Sequence, residues 1–181
     1  MKPPLLMGIA GRSGMGKTTL IERLIPALSA LGKTVSTIKH AHHGFDLDRP
    51  GKDSFRHREA GAREIMLATG SRWALMHEQQ STQEEPDIDS LVGRMEPVDI
   101  ILVEGFGARL PIALEVWRRE VGKPPLWPER PAVRAVALGD ACDALADLPP
   151  ALVTFRLSDV GEIASWVVDN ARSAVRRAAG E

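Results

Sequence analysis

Short apolar runs alternate along this chain with longer stretches in which apolar residues recur at helical spacing. Residues 5–10 form an apolar run typical of a buried strand. The stretch that follows the next glycine-rich segment predicts an amphipathic helix, with its apolar positions at Leu20, Ile21, Leu24, Ile25, Leu28 and Leu31. Pro26 predicts a kink in this helix because it lacks a backbone donor. Gly32 is a candidate C-terminal cap.

Further strands are predicted from apolar runs bounded by turn-forming residues, at 34–39, 64–67, 72–77, 98–103, 133–138 and 152–155. A long loop is expected to lead into a helix near Asp53, and a turn at 69–71 separates two of the strands. A short helix is expected before residue 98. Proline-rich residues 105–131 predict an excursion from the fold.

The last element predicted is a helix. Asp159 and Glu162 have the spacing of a capping box, and an apolar stripe follows them to the C-terminus. Strands that alternate with helices predict an α/β fold, a doubly wound and mostly parallel sheet with helices on both faces. Residues 1–181 are expected to form a single domain.

A phosphate-binding loop is the clearest motif. Residues 11–18, Gly-Arg-Ser-Gly-Met-Gly-Lys-Thr, fit the pattern G-x-x-x-x-G-K-[ST] between a predicted strand and helix. Glycines let backbone amides turn towards phosphate oxygens, and the helix directs its positive end at the same oxygens. The loop predicts a P-loop NTPase fold that binds a purine nucleoside triphosphate with Mg²⁺, Lys17 reaching the β- and γ-phosphates and Thr18 ligating the metal. The predicted nucleotide contacts are Gly11, Ser13, Gly14, Met15, Gly16, Lys17, Thr18 and Thr19.

An acidic residue for the metal is expected at the end of another strand. Ligands of such sheets bind beyond the carboxyl ends of the strands. Glu104 closes the apolar strand over 98–103, whereas Asp99 opens it. Glu104 is therefore the candidate catalytic and metal residue, holding Mg²⁺ directly or through water, or polarising an attacking water.

Residues 39–58 concentrate histidine, aspartate and basic side chains. The spacing of the histidines fits no standard zinc pattern, so a loop that senses the γ-phosphate is favoured; a solvated polar loop and a transition-metal site are the alternatives. The basic groups and hydroxyl near the start of the next helix suit a second anionic group, or form an exposed charged helix turn. The candidates for this second site are His42, Asp46, Lys52, Asp53, Ser54 and Arg56.

Charge and cysteine content narrow the function classes. The 181 residues carry a net charge of −1, which argues against a nucleic-acid binder with a broadly basic surface. The single Cys142 cannot form an internal disulfide and suits a reducing compartment. The apolar run over 5–10 is too short to span a bilayer. We therefore expect a cytoplasmic protein with neither a nucleic-acid nor a membrane partner.

Taken together, these segments resemble the molybdopterin-guanine dinucleotide biosynthesis adaptor family. The similar segments, of which Pro-Gly-Lys-Asp-Ser and Val-Glu-Gly-Phe are the most specific, lie at 11–20, 37–40, 46–58, 60–62, 72–76, 102–106, 122–124 and 126–128. The resemblance implies a GTP-binding homodimer with weak GTPase activity that assists the guanylyltransferase joining GMP to molybdopterin. It also implies that the loop over 46–56 lines the dimer cleft, near the nucleotide or the pterin phosphate.

Two positions depart from the family pattern. The family usually has lysines where this chain has Gly107 and Ala113. Arg109, Arg118 and Arg119 are candidates to replace the missing charge.

The residues alone do not settle the base or the reaction. The Asn-Lys-x-Asp signature of most GTPases is absent. Asp140 is a candidate acceptor for guanine N1–H and N2–H₂, with an exposed acid at a helix start as the alternative. A small-molecule kinase with residues 105–131 as its lid, and a dimerisation-switched ATPase, share the fold; the latter often carry lysine where this chain has Arg12.

Overall fold

The computed structural model describes residues 3–41, 48–79, 86–106, 109–139 and 148–173. The chain divides into two compact units, Met1–His40 with Asp87–Glu181, and Ala41–Pro86. The strands are β1 Leu5–Ala10, β2 Val35–Lys39, β3 Glu64–Ala68, β4 Trp73–His77, β5 Ile100–Glu104, β6 Ala113–Trp117, β7 Val133–Leu138, β8 Val153–Arg156 and β9 Arg172–Ser173. The helices are α1 Lys17–Ala30, α2 Asp53–Glu59, α3 Ile88–Val92 and α4 Val160–Asn170.

The first unit is built on a sheet of strand order β2-β5-β1-β6-β7-β8. All of these neighbours run parallel. Among the described strands of this sheet, the short β9 alone is antiparallel, pairing with Leu5 and Leu6 at the start of β1. The mostly parallel α/β sheet predicted from the sequence is confirmed. β1 lies inside the sheet and therefore delivers the phosphate loop to the middle of its carboxyl edge.

Two apolar clusters cover the faces of this sheet. Met7 and Ile9 of β1 belong to one cluster, together with the buried leucines of α1 and Ile163 and Val167 of α4. Leu6 belongs to the other, with Ile88 of α3 and residues that follow β5. Successive side chains of a strand point to opposite faces, so both faces are packed as predicted. Among the described helices, none combines the length and apolar character that crossing a membrane requires.

Helix α1 ends as its sequence predicts. Gly32 has φ of 72°, its N–H donates to Ser29 O at 2.9 Å, and the N–H of Lys33 donates to Leu28 O at 3.1 Å. This pair of bonds is the Schellman arrangement, which places glycine just beyond the helix. Pro26 lies inside α1 without ending it. Leu31 falls outside the helix and is 48% exposed, so it does not extend the buried stripe.

Two predictions about later elements are wrong. The expected excursion over 105–131 contains β6, which is almost entirely buried between β1 and β7; its prolines lie in the flanking connections, and the strand between them is apolar. Helix α4 stops at Asn170, because the chain turns there to pair β9 with β1. Asp159 is its N-cap residue but makes no side-chain cap bond, and accepts a hydrogen bond from Ser158 Oγ at 3.2 Å instead.

The second unit consists of α2 and an antiparallel hairpin of β3 and β4. The turn predicted at 69–71 is present, with Thr69 N–H donating to Arg72 O at 2.8 Å. The carboxylate of Asp48 pairs with Arg58 at 3.2 Å and fixes the chain before α2. Several large apolar side chains of the hairpin are exposed: Met66 60%, Leu67 43%, Trp73 57% and Leu75 40%.

Candidate functional site

The phosphate loop between β1 and α1 depends on backbone conformations that favour glycine. Gly11, Gly14 and Gly16 have φ of 138°, 89° and 95°. A Cβ on Gly11 would lie 2.6 Å from Val116 O. The loop therefore passes directly over the backbone of β6, and a side chain at Gly11 would push the two apart.

The start of α1 is arranged to receive an anion. Gly16 is its N-cap residue and offers no side-chain acceptor, and the first turn contains no acidic residue. Orphan N–H groups at such an end point towards whatever lies before the helix. Lys17 Nζ lies over the loop, donating to Arg12 O at 3.3 Å. The predicted contacts Ser13, Thr18 and Thr19 are exposed.

Met15 differs from the other predicted contacts because its side chain is fully buried. Its N–H donates to Arg12 O at 3.3 Å, and its sulfur accepts the backbone N–H of Arg118 at 3.3 Å. Met15 thus anchors the loop to the core and to the end of β6.

Glu104 ends β5 beside the phosphate loop. Its carboxylate lies 3.8 Å from Lys17 Nζ and 4.0 Å from Lys39 Nζ, and its side chain is 13% exposed. Asp99, at the opposite end of the strand, accepts from Thr34 N–H and Oγ1 at 2.8 Å each. The arrangement places one carboxylate between two cations at the edge where ligands bind, and leaves Asp99 to join two strands.

The crossover segment, residues 118–127, meets the phosphate loop on its other side. Lys123 Nζ donates to Ser13 O at 2.9 Å, and Arg12 Nε donates to Pro124 O at 2.9 Å. This contact was not predicted from the sequence. Its one signal was the Gly-Lys-Pro segment at 122–124, which carried the resemblance but no assigned role.

A buried carboxylate holds the crossover segment to the sheet. Glu115 of β6 is fully buried and accepts the N–H of Leu126 at 2.8 and 3.0 Å and that of Trp127 at 2.9 Å. Burial raises the pKa of Glu115, and these hydrogen bonds, followed by the charges of Arg130 and Arg12, lower it in part. Glu115 was not predicted from the sequence, in which its one signal is an acidic residue within an apolar run.

The predicted second anion site falls on the other unit. Lys52, Asp53 and Arg56 are exposed at the start of α2, whereas Ser54 is buried. Among the described residues no group of three or more His, Cys, Asp or Glu side chains is arranged to hold a metal ion. The candidates His42, Asp46 and Asp140 lie outside the described residues.

The departures from the family pattern are placed as follows. Ala113 is buried in β6, 3.0 Å from the position of a Cβ on Gly8. That position has no room for a long cation. Gly107 lies outside the described residues. Arg118 is the one candidate replacement that contacts the phosphate loop in the described structure.

Comparison with known proteins gives a consistent picture. The family model of molybdopterin guanine dinucleotide synthesis protein B matches residues 6–139. The molybdopterin-guanine dinucleotide biosynthesis adapter protein of Escherichia coli (strain K12) is 40% identical over 166 residues, 91% of each chain. The Haemophilus influenzae adapter is 44% identical over 121 residues, 66% of each chain. The crystal structure of Bacillus subtilis MobB, 21% identical, covers 93% of this chain and 98% of its own with a TM-score of 0.68, and supports the fold. The chain belongs to the molybdopterin guanine dinucleotide synthesis protein B (MobB) family.

Proposed function

We propose that this protein is a GTP-binding adapter of molybdopterin guanine dinucleotide biosynthesis that hydrolyses GTP slowly. The observation that carries the proposal is the uncapped start of α1 with Lys17 over it and Glu104 beside it. Family membership supports the pathway, because the Escherichia coli and Haemophilus influenzae relatives are named as adapters of that biosynthesis. The single Cys142 supports a cytoplasmic setting.

The residues present fit a magnesium-bound triphosphate. Mg²⁺, when bound, supplies positive charge against the phosphate oxygens. Oxygen donors are what this ion prefers, and the exposed Thr18 hydroxyl and the Glu104 carboxylate provide them at the carboxyl edge of the sheet. Both cations facing Glu104 lie at 3.8 and 4.0 Å, beyond hydrogen-bond range. Among the described residues the carboxylate oxygens therefore have no hydrogen bond, and they can accept from a water or ligate.

Nucleotide binding is tested with Lys17→Ala. Removing the cation over the loop is expected to weaken Mg-GTP binding at least about tenfold, roughly 1.4 kcal/mol, while the chain stays folded. Lys33→Ala is the matched control, since it removes a cation just beyond the other end of α1. Calorimetry that gives the parent affinity for the Lys17 variant would reject the phosphate grip. Tighter binding of Mg-ATP than of Mg-GTP by the parent would reject the guanine preference.

The adapter role is tested by reconstitution. Molybdopterin guanylation by the cognate guanylyltransferase at limiting GTP is expected to rise when this protein is added, and not when its Lys17→Ala variant is added. An equal yield with and without the protein, or rapid phosphorylation of a small metabolite, would contradict the proposal and favour a kinase.

Lys52 and Arg56 are proposed to serve the molybdopterin side. Both are exposed at the start of α2, and arginine and lysine bind phosphate well. Replacing both by alanine is expected to lower the guanylation yield without changing the calorimetric affinity for Mg-GTP. The same replacement lowering both quantities would place these cations at the nucleotide instead.

We also propose that the protein is a homodimer in which the hairpin of β3 and β4 is covered. Met66 and Leu75 pair across the hairpin on one face and are 60% and 40% exposed, with Trp73 beside them at 57%. Contiguous exposed apolar surface of this kind marks interaction sites. Met66→Glu is expected to give a monomer in light scattering at micromolar concentration. Leu31→Glu, at an apolar site after α1 that is 48% exposed, is the control, and a monomeric parent protein would refute the dimer.

A further inference from the structure

Arg118 occupies an unusual position between two glycines. Its Nη2 and Nε atoms lie 3.3 and 3.4 Å from the position of a Cβ on Gly16, at the start of α1. Its Cγ lies 3.2 Å from the position of a Cβ on Gly139, directly after β7. The absence of side chains at both positions allows the guanidinium to lie across the carboxyl edge of the sheet.

The guanidinium of Arg118 is partly buried and partly exposed at this edge. Its Nε is buried and has no hydrogen-bond partner among the described residues. Among the described residues, the Glu120 carboxylate forms its ion pair, with Oε1 4.0 Å from Nη1. The side chain as a whole is 36% exposed. The guanidinium therefore rests against the start of α1 along one edge and leaves part of its surface open to a ligand.

The direction of a bound nucleotide follows from the sheet. In the proposed function the terminal phosphate would lie towards Lys17, because the lysine of such a loop reaches the β- and γ-phosphates, and Glu104 lies beside Lys17. Glu104 belongs to β5, on one side of β1, whereas β6 and β7 lie on the other side. The ribose and base therefore extend over the ends of β6 and β7, where Arg118 and Gly139 lie.

We propose that Arg118 is the nucleoside-side contact of this site, with its planar guanidinium packed against the face of the purine base. The proposal rests on the proposed GTP binding and assigns the half of the nucleotide that the phosphate loop does not reach. An arginine plane stacks on aromatic faces, which a lysine ammonium does not reproduce. Stacking on a face is tolerant of base identity, so Arg118 strengthens binding of guanine and adenine nucleotides alike.

The test compares GTP with inorganic tripolyphosphate, which carries the phosphates without a nucleoside. Calorimetry with Mg²⁺ is run on the parent, Arg118→Ala, Arg118→Lys and the control Arg134→Ala, which removes an exposed arginine near the start of β7. Arg118→Ala is expected to weaken GTP binding about tenfold and tripolyphosphate binding less than about twofold. Arg118→Lys is expected to resemble the alanine variant, and Arg134→Ala the parent.

Other outcomes overturn the proposal. Equal losses for GTP and tripolyphosphate would make Arg118 a phosphate contact, and unchanged GTP binding would remove it from the site. An Arg118→Lys variant with parent affinity would show that charge alone matters. Lys17→Ala in the same series shows how the loss of a phosphate contact behaves. This variant is expected to weaken the binding of GTP and of tripolyphosphate alike. A parent protein that binds neither ligand overturns the proposed function and this inference together.

Discussion

On one side of β1 the carboxylate of Glu104 faces two ammonium groups at 3.8 and 4.0 Å. On the other side the carboxylate of Glu115 is fully buried and accepts the backbone N–H groups of Leu126 and Trp127. Both glutamates lie on strands that pair in parallel with β1, one on each side of it. Side-chain cations can move when a ligand arrives, whereas backbone amides are fixed by the chain. The partners therefore leave Glu104 able to change its contacts, as the proposed function requires, and fix Glu115 in a structural role.

The largest expected effect is on the buried carboxylate. Glu115→Ala leaves the buried N–H of Leu126 and the partly buried N–H of Trp127 without this acceptor, so the free energy of unfolding is expected to fall by about 3 kcal/mol or more. Urea unfolding followed by tryptophan fluorescence measures this. The exposed Glu162→Ala in α4 is the control. A loss below about 1 kcal/mol would mean that the crossover segment is held by other contacts.

Glu104→Gln is expected to lower the rate of hydrolysis and to leave the free energy of unfolding nearly unchanged, the reverse of Glu115→Ala. The amide keeps the shape but loses the charge, so GTP hydrolysis is expected to fall at least about tenfold, roughly 1.4 kcal/mol of activation free energy. Affinity for Mg-GTP is expected to fall less, and the free energy of unfolding to stay close to that of the parent. Single-turnover phosphate release and calorimetry provide the two numbers. Hydrolysis at the parent rate would remove Glu104 from both catalysis and metal binding.

A pH series tests the buried carboxylate of Glu115 in the parent protein without changing the packing of its core. Burial raises the pKa of Glu115 in the folded protein above the ordinary value of 4.5. At pH values between the ordinary pKa and the raised pKa, the folded protein therefore holds more protons than the unfolded chain. The free energy of unfolding contributed by this group therefore falls as pH rises through that interval and is constant above it. Urea unfolding of the parent and Glu115→Gln from about pH 4 to about pH 8 is expected to differ in slope only within the interval. Parallel curves would contradict the raised pKa.

The smallest effect is expected for Lys39→Ala. Lys39 is 66% exposed at 4.0 Å from Glu104, and exposed pairs at such distances contribute about 0–1 kcal/mol. The rate of hydrolysis is expected to change by no more than about threefold. The free energy of unfolding is expected to change by no more than about 0.5 kcal/mol. A larger loss of hydrolysis would show that Lys39 contacts the nucleotide itself.

The Glu104 side of β1 could be predicted from the sequence better than the Glu115 side, and the reason is physical. The phosphate loop, Glu104 and the end of α1 at Gly32 are local patterns, in which a few neighbouring residues determine the conformation. The same holds for β7, whose predicted and observed ends agree at Val133 and Leu138. Local spacing was sufficient for these elements.

The opposite side depends on contacts between residues far apart in sequence. Lys123 reaches Ser13, and the N–H of Arg118 reaches Met15. The prolines on either side of β6 obscured a strand whose place between β1 and β7 follows only from the assembled sheet. The early end of α4 also depended on a distant partner, since β9 pairs with the start of β1.

That pairing has a consequence for the order in which the protein is made. One edge of β1 is covered in two parts: Gly8 to Ala10 by β6, and Leu5 and Leu6 by β9. Leu6 is fully buried in the finished sheet. During synthesis the phosphate-loop strand emerges early, yet the N-terminal part of this edge receives its neighbour only after β9 has left the ribosome. Until then an unpaired apolar strand edge is open to intermolecular pairing. The nascent chain is therefore exposed to aggregation at a stage when its phosphate loop has already been synthesised.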